Sequence, residues 1–194
     1  MPLSSTQYAT LRAAIQADPV LNAIPIGGDG DIAIAEAFNA VAAPDFLVWR
    51  TDVPVRDIMD TFNFAAFTPA DSMPEGNVDQ ASIQRYVARL LAIQTKQMNL
   101  QLMLQGREIV DASLSNFRAG LRDALVGVPA GVNGASVAVA GASGVNALNV
   151  CTRKATRYEK LFAGSNTTTG SVTAAVMTLV GQLSAADVNT ARAN

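Results

Sequence analysis

Six basic side chains in the second half of the chain are the residues whose type and spacing best suit them to bind an anion. Four of them fall within eight residues and two more lie four residues apart, and the six are Arg118, Arg122, Arg153, Lys154, Arg157 and Lys160. Spacings of three and four place side chains on one face of a helix, so we expect the last four to form a basic face on one helix and Arg118 and Arg122 to form a similar pair on another. Such a face can hold a phosphate backbone without reading sequence, contact an acidic neighbouring subunit, or stay in solvent. The sequence alone does not decide among these three possibilities.

Catalytic chemistry finds little support in the residue types. The 194 residues include no histidine and one cysteine, Cys151, which excludes histidine-based triads and Cys/His zinc sites. Cys151 therefore lacks its usual activating base, and we interpret it as a small core residue. Asp57 and Asp60 could hold a cation on one helix face, but two carboxylates without a further ligand are more typical of a solvated face. We expect neither enzyme activity nor a cofactor.

The glycine-rich segment from Gly27 to Asp31 has some features of a phosphate or calcium loop. A phosphate loop needs a lysine that reaches the phosphates, and no lysine follows here. An EF-hand needs a glutamate at its twelfth position, which is also missing. We therefore predict a tight turn in which Asp31 caps the following helix.

Charge is scarce and unevenly distributed along the chain. Only 15% of residues are charged and 49% are hydrophobic, whereas about 25% are charged in a typical globular protein. Up to Asp79 there are 11 acidic and 3 basic residues, and from Gln80 onward 11 basic and 5 acidic residues. This division either creates a dipolar subunit suited to head-to-tail contacts or is neutralised by pairing within one domain.

The low share of charged residues also leads us to expect that part of the surface is buried against other chains. We expect no membrane span, because no apolar run approaches 18 residues.

The elements that must position these residues are predicted to be mostly helical. Helices are expected to begin at Ser4 or Ser5, Asp31, Pro54, Val78, Leu114, Ser143 and Ser184. The helix from Ser143 is expected to run to Phe162 and to carry four of the basic residues. Strands are predicted over 46–51, with Trp49 as a structural anchor, and over 171–183.

The longest predicted helix covers 78–105. Three and four residue spacing gives it an apolar stripe of Ile83, Val87, Leu90 and Leu91. Further along, Met98, Leu100, Leu102 and Leu104 alternate as in a strand, but no turn signal precedes Gly106, and we favour a helix throughout.

These elements predict a mainly α protein, a helical bundle with a few short strands and an extended C-terminal arm. The helical core domain is expected to cover 1–163 and to include a long Gly/Ala-rich loop over 127–144. The arm is expected to cover 164–194, with a polar linker over 164–170, one strand and a short terminal helix.

Four stretches in combination resemble a small protein family of tailed bacteriophages that is encoded among structural head and tail genes. They are Phe46–Thr51, Gln97–Gln101, Phe117–Leu121 and Arg153–Phe162. Asp18-Pro19 after the first helix and Ser184–Val188 near the C-terminal end add to the resemblance, which covers nearly the whole chain. None of these motifs is a catalytic signature, so the combination carries the resemblance.

The resemblance implies a virion structural protein, a head-to-tail adaptor (connector or neck) subunit. Such a subunit would form a ring of about twelve copies beneath the portal protein and around the DNA channel. Its partners would be the portal, tail or other neck proteins and, through the basic residues, packaged DNA, without a membrane. It would be made in the bacterial cytoplasm and reside at the head–tail junction. The alternatives are a tail-completion, tail-tube or capsid-decoration protein, a helical enzyme using carboxylates such as Asp57 and Asp60, or a DNA-binding regulator.

Overall fold

The computed structural model describes residues 3–62, 79–125 and 144–193. The helices of this part of the chain are α1 Ser5–Ala17, α2 Pro19–Asn22, α3 Gly28–Asn39, α4 Val55–Met59, α5 Gln80–Leu104, α6 Ser115–Leu125, α7 Gly144–Val150, α8 Arg157–Leu161 and α9 Ala185–Ala193. The strands are β1 Leu47–Trp49, β2 Val53–Pro54, β3 Ile109–Val110, β4 Thr152–Lys154, β5 Ala163–Thr169 and β6 Val172–Met177. The mainly helical class is confirmed, and the bundle arrangement stays a prediction. The predicted loop over 127–144 lies outside the described residues except for Gly144, which begins α7.

The helices at the two ends of the described chain begin at the caps predicted from the sequence. The Ser4 hydroxyl accepts a hydrogen bond from the Gln7 amide at 3.3 Å, and the Gln7 side chain accepts one from the Ser4 amide at 2.8 Å. Before α9, the Ser184 hydroxyl donates to the Asp187 carboxylate at 2.6 Å and accepts from the Asp187 amide at 3.2 Å. These reciprocal bonds satisfy amides that a helix N-terminus otherwise leaves unpaired.

Four strands form a small sheet in the order β4-β1-β6-β5, and β2 pairs with β3 separately. β1 and β6 are parallel, with Val48 opposite Ala175. β2 and β3 are antiparallel, with Val53 opposite Val110. The strand expected over 46–51 is confirmed as β1, and part of the strand expected over 171–183 is confirmed as β6.

The long helix predicted from Ser143 to Phe162 is wrong. The chain forms α7, then β4, then α8. α8 starts anew because Thr156 and Glu159 make their own capping box: the Thr156 hydroxyl accepts from the Glu159 amide, and the Glu159 carboxylate accepts from the Thr156 amide. The polar linker predicted over 164–170 is also wrong, since 163–169 form strand β5.

The chain divides into two compact units. Unit 1 comprises residues 1–48, 154–166 and 175–194, and unit 2 comprises 49–153 and 167–174. The core of unit 1 brings together Leu11, Ile15, Ile34, Phe38, Tyr158, Leu183, Val188 and Ala191. Residues 164–194 therefore differ from the expected extended arm, because α9 packs on α1 and α3 and its apolar side chains are part of a core.

Unit 2 has its own buried side chains. α6 packs against α5 and α7, and α4 packs against α7 and β2. The buried apolar residues include Trp49, Val53, Ile58, Ile93, Leu100, Leu104, Leu121, Leu125 and Leu148. Pro54 was expected in the first turn of a helix, but it precedes α4 as its N-cap, and α4 ends at Met59.

A buried ion pair in unit 1 joins α9 to the start of α3. Arg192 Nη1 lies 3.2 Å from Asp31 Oδ1, and both side chains are almost wholly buried. The Arg192 guanidinium also donates to the carbonyl oxygens of Ile24 and Pro25. Asp31 accepts further bonds from the Asn189 side chain at 2.9 Å and from the Gly27 amide at 3.1 Å.

This pair explains the glycine-rich segment before α3. Gly27, the N-cap of α3, and Gly28 both have positive φ angles, 97° and 49°, which glycine adopts without steric cost. Gly30 sits against the backbone of Pro25, where a Cβ would collide with the carbonyl oxygen. Asp31 lies in the first turn of α3 rather than at its cap, and its carboxylate binds back to the turn. The turn predicted before Asp31 is only partly correct, because α3 already begins at Gly28. The bend at Gly27 holds the carboxylate that Arg192 pairs with.

We predict that Arg192→Met lowers the free energy of unfolding by about 3 kcal/mol, because it leaves the Asp31 carboxylate buried without its cation. Urea denaturation measures the loss. Arg56→Met is the matched control: Arg56 and Asp60 pair at 3.7 Å with both side chains mostly exposed, and such pairs contribute about 0.5 kcal/mol. Equal losses in the two variants would contradict the structural role of the Arg192 pair.

Candidate interaction surface

Arg118 is a buried residue of unit 2, and only 3% of its surface is exposed. Its Nη1 donates to the carbonyl oxygens of Ala112 at 2.7 Å and Ser113 at 2.6 Å. Its Nε and Nη2 donate to the hydroxyls of Thr169 and Thr167 at 3.2 and 3.3 Å. The guanidinium therefore has neutral oxygen partners on several sides, and it is not exposed to DNA or to a neighbouring subunit as the sequence had suggested.

Trp49 completes this arrangement. The Arg118 guanidinium carbon lies 4.6 Å from the centroid of the Trp49 ring, a distance at which a cation is attracted to the ring face. The Trp49 indole donates to the Thr167 hydroxyl at 2.9 Å, and 1% of the residue is exposed. Burial lowers the pKa of Arg118, although a guanidinium stays protonated at neutral pH. Trp49 and Arg118 thus hold α6 to β1 and β5 within unit 2.

Arg122, Arg153 and Lys154 lie in different settings. Arg122, on α6, pairs with the adjacent Asp123 at 2.7 Å, and both side chains are about half exposed. Arg153 and Lys154 lie in strand β4, where adjacent side chains point to opposite sides, and Arg153 is half-buried. Lys154 Nζ lies 2.6 Å from Asp45 Oδ2.

Arg157 and Lys160 are the two predicted basic residues that share a helix, α8. Arg157 Nη2 lies 2.7 Å from Asp18 Oδ2, and its guanidinium carbon lies 4.8 Å from the Phe38 ring centroid. The hydrogen bond from Arg157 lowers the pKa of Asp18 from its ordinary value. Lys160 Nζ lies 5.7 Å from the Phe46 ring centroid. The single helix expected to carry Arg153, Lys154, Arg157 and Lys160 is therefore replaced by β4, which holds the first two, and α8, which holds the last two.

The uneven charge of the sequence is partly neutralised inside unit 1. Three acids from the first 48 residues pair with three bases from beyond residue 153, namely Asp18 with Arg157, Asp31 with Arg192 and Asp45 with Lys154. The sequence left open either a dipolar subunit or pairing of opposite charges within one domain. Pairing within one domain accounts for these six residues.

The residues considered for catalysis are also engaged or buried. Asp57 lies 3.6 Å from Arg50 and Asp60 lies 3.7 Å from Arg56. Within 3–62, 79–125 and 144–193, no group of three or more Asp, Glu or Cys residues is placed to hold a metal ion. Cys151 is buried in the turn after α7. Burial raises the pKa of its thiol to about 12, and the nearby cations Arg50 and Arg118 offset only part of this effect.

The surface that stands out is an apolar stripe on α5, which we call the outer face of α5. It consists of Val87, Leu91, Met98 and Leu102, whose exposed fractions range from 43% to 71%. At about 100° per residue these four side chains fall within roughly 60° of one another around the helix. The polar residues that flank the stripe, such as Gln94 and Gln101, are uncharged.

The charged residues of α5 lie on the other side of the helix. Arg85, Arg89 and Lys96 fall roughly 130° to 170° from the centre of the outer face. Arg89 is 4% exposed, and Lys96 donates to the Asp123 carbonyl oxygen of the neighbouring α6 at 2.6 Å. Burial lowers the pKa of Lys96 from its ordinary value. α5 thus keeps its charged side chains away from the outer face, and it is apolar on two sides, because Ile93, Leu100 and Leu104 are buried within unit 2 while the outer face is exposed.

Sequence reasoning identified the helix but not this orientation. The stripe predicted from Ile83, Val87, Leu90 and Leu91 is only partly correct, because Val87 and Leu91 point outward. The strand-like alternation from Met98 to Leu104 arises because Leu100 and Leu104 are buried while Met98 and Leu102 are exposed. A helix with apolar residues on two faces produces both patterns. The presence of both patterns in one helix is the sequence signal that could have indicated a second, exposed apolar face.

No protein-family model, curated protein or solved structure matches this chain. Among the helices that the structure describes, none has the length and apolar character needed to cross a membrane.

We predict that Arg118→Met lowers the free energy of unfolding by about 3 kcal/mol or more, because it removes a buried side chain with four hydrogen bonds and takes the Arg118 donor away from the carbonyl oxygens of Ala112 and Ser113. Arg122→Met, on the same helix, is the control and is expected to change stability by about 0.5 kcal/mol or less. Thermal and urea unfolding measure both. An Arg118 variant as stable as the parent protein would show that the residue has no structural role.

We predict that the Cys151 thiol is unreactive in the folded protein at pH 8 and reacts fully in concentrated guanidinium chloride. The thiol ionises near 9.0 when exposed, and burial raises its pKa to about 12. Its contribution to stability is therefore present below pH 9 and is lost as the pH rises toward 12. Titration with dithionitrobenzoate measures the reactivity, and rapid reaction of the native protein would contradict the burial of the thiol.

Proposed function

We propose that the chain is a non-enzymatic structural protein of a tailed-bacteriophage virion, a head-to-tail adaptor subunit that forms a ring under the portal and around the DNA channel. The observation that supports this proposal best is the outer face of α5, which is apolar, uncharged and exposed. Exposed apolar side chains aligned on one face of a helix are typical of a surface that contacts another protein. It is expected of a subunit whose working state is an assembly.

The engagement of the ionisable groups supports the same proposal. The residues considered for catalysis already have other contacts: Asp57 and Asp60 pair with arginines and Cys151 is buried. These contacts agree with a protein that acts through its contact surfaces.

Contact with packaged DNA has a smaller part in this proposal than the sequence suggested. Arg122 and Lys154 keep about half of their side-chain surface exposed, and each pairs with a carboxylate. Any contact of theirs with the DNA backbone competes with that carboxylate. We therefore expect binding to duplex DNA to be weak and to fall steeply with salt.

A stop codon in the gene of the phage that encodes this chain tests the adaptor role. An adaptor is required for joining, so the mutant infection is expected to accumulate DNA-filled heads and free tails that do not attach, as seen by negative-stain electron microscopy. Supplying the protein from a plasmid should restore joined particles.

The other outcomes identify the tail-tube and decoration alternatives and overturn the adaptor assignment. Absence of tails indicates a tail-tube protein, and joined particles with fragile heads indicate a decoration protein. Normal infectious particles would remove the virion role altogether.

A further inference from the structure

The outer face of α5 has a spacing and charge that indicate what covers it. We propose that it is covered by the same face of a second copy of this chain, with the two α5 helices antiparallel about a two-fold axis near Gln94 and Thr95. This inference rests on the proposed structural role, since it names the partner of the surface that supports that role.

The absence of charge on the outer face favours a contact between identical surfaces. When a surface meets its own copy across a two-fold axis, charges of one sign near the axis oppose each other at a cost. A hetero-partner imposes no such restriction, because opposite charges can be divided between the two proteins. α5 carries Arg85, Arg89 and Lys96, and all three lie away from the outer face, which is the arrangement that self-contact requires.

The spacing of the four apolar residues is symmetric along the helix. Val87, Leu91, Met98 and Leu102 are separated by 4, 7 and 4 positions, so the pattern reads the same in both directions. Antiparallel pairing about the midpoint places Leu91 opposite Met98 of the copy and Val87 opposite Leu102 of the copy. In a parallel pair each residue would lie close to the same residue of the other copy, and a symmetric spacing would not be needed.

The expected contact is small. The stripe spans 15 positions, or about 22 Å of helix, and a stable interface usually buries more than about 1,000 Å². The dimer is therefore expected to dissociate on dilution. A two-fold contact closes on itself and cannot propagate a ring, so contacts around the proposed ring must use other surfaces of the subunit.

Sedimentation velocity of the purified chain over a wide concentration range tests the proposal. The parent protein is expected to shift from monomer to dimer as concentration rises. Leu91→Glu and Met98→Glu are each expected to raise the dimer dissociation constant at least about tenfold, because each places two carboxylates at the contact. Leu114→Glu is the matched control, since Leu114 is exposed in the same unit but lies off α5, and its dissociation constant should equal that of the parent.

A charge-pair variant tests the antiparallel register. In the double variant Leu91→Lys with Met98→Glu, each lysine faces a glutamate of the other copy only when the helices are antiparallel. This variant is expected to dimerise more tightly than either Leu91→Glu or Met98→Glu. Thermal unfolding and circular dichroism establish that every variant is folded, and a variant that fails to fold is replaced by Leu91→Gln or Met98→Gln, which removes apolar area without adding charge.

Disulfide formation gives a second readout. Gln94→Cys places a thiol next to the axis and is expected to form a covalent dimer on mild oxidation. Gln84→Cys places one on the same helix but ten positions away and is expected not to. The native Cys151 is buried and does not compete.

Three results would overturn the proposal: a monomer at all concentrations, a dimer that Leu91→Glu leaves intact, or equal cross-linking at positions 84 and 94. Any of these results would remove the α5 contact as support for the adaptor role, and the stop-codon infection tests that role separately. A chain that dimerises through α5 while the mutant phage assembles normally would preserve this inference and remove the proposed function.

Discussion

The buried pair of Asp31 and Arg192 is the contact on which unit 1 depends most. It joins α9 to the turn before α3, and the same guanidinium binds the carbonyl oxygens of Ile24 and Pro25. A buried carboxylate is tolerated only with a cation and hydrogen-bond donors around it, so the turn, its glycines and the last helix must form together. The pairs of Asp18 with Arg157 and Asp45 with Lys154 bring the same two parts of the chain together at more exposed positions.

This internal use of charge shapes the surface that is left for function. Arg118 is enclosed in unit 2 and Arg157 is engaged in unit 1, so each of these two cations already has partners inside its own unit. Among the described residues, the outer face of α5 is an exposed apolar feature that remains, and it is the observation on which the proposed structural role rests.

Local signals in the sequence predicted the elements that depend on neighbouring residues. The caps at Ser4 and Ser184 and the turn at Gly27 are of this kind. The prediction of one continuous helix to Phe162 was wrong because it relied on apolar spacing alone. Thr156 forms a capping box with Glu159, and this box marks the start of a new helix. The inward position of Arg118 and the outward position of Leu91 could not be predicted, because both depend on which elements pack together and not on spacing along the chain.

The division of the chain between its units sets an order for folding during synthesis. Every residue of unit 2 has been translated once Ala174 is added, whereas unit 1 still requires the residues up to α9. Before then, the Asp31 carboxylate has no Arg192 to meet, and the apolar side chains of α1 and α3 have no α9 to cover them. The N-terminal residues are thus made first but reach their final packing only after α9 has been translated.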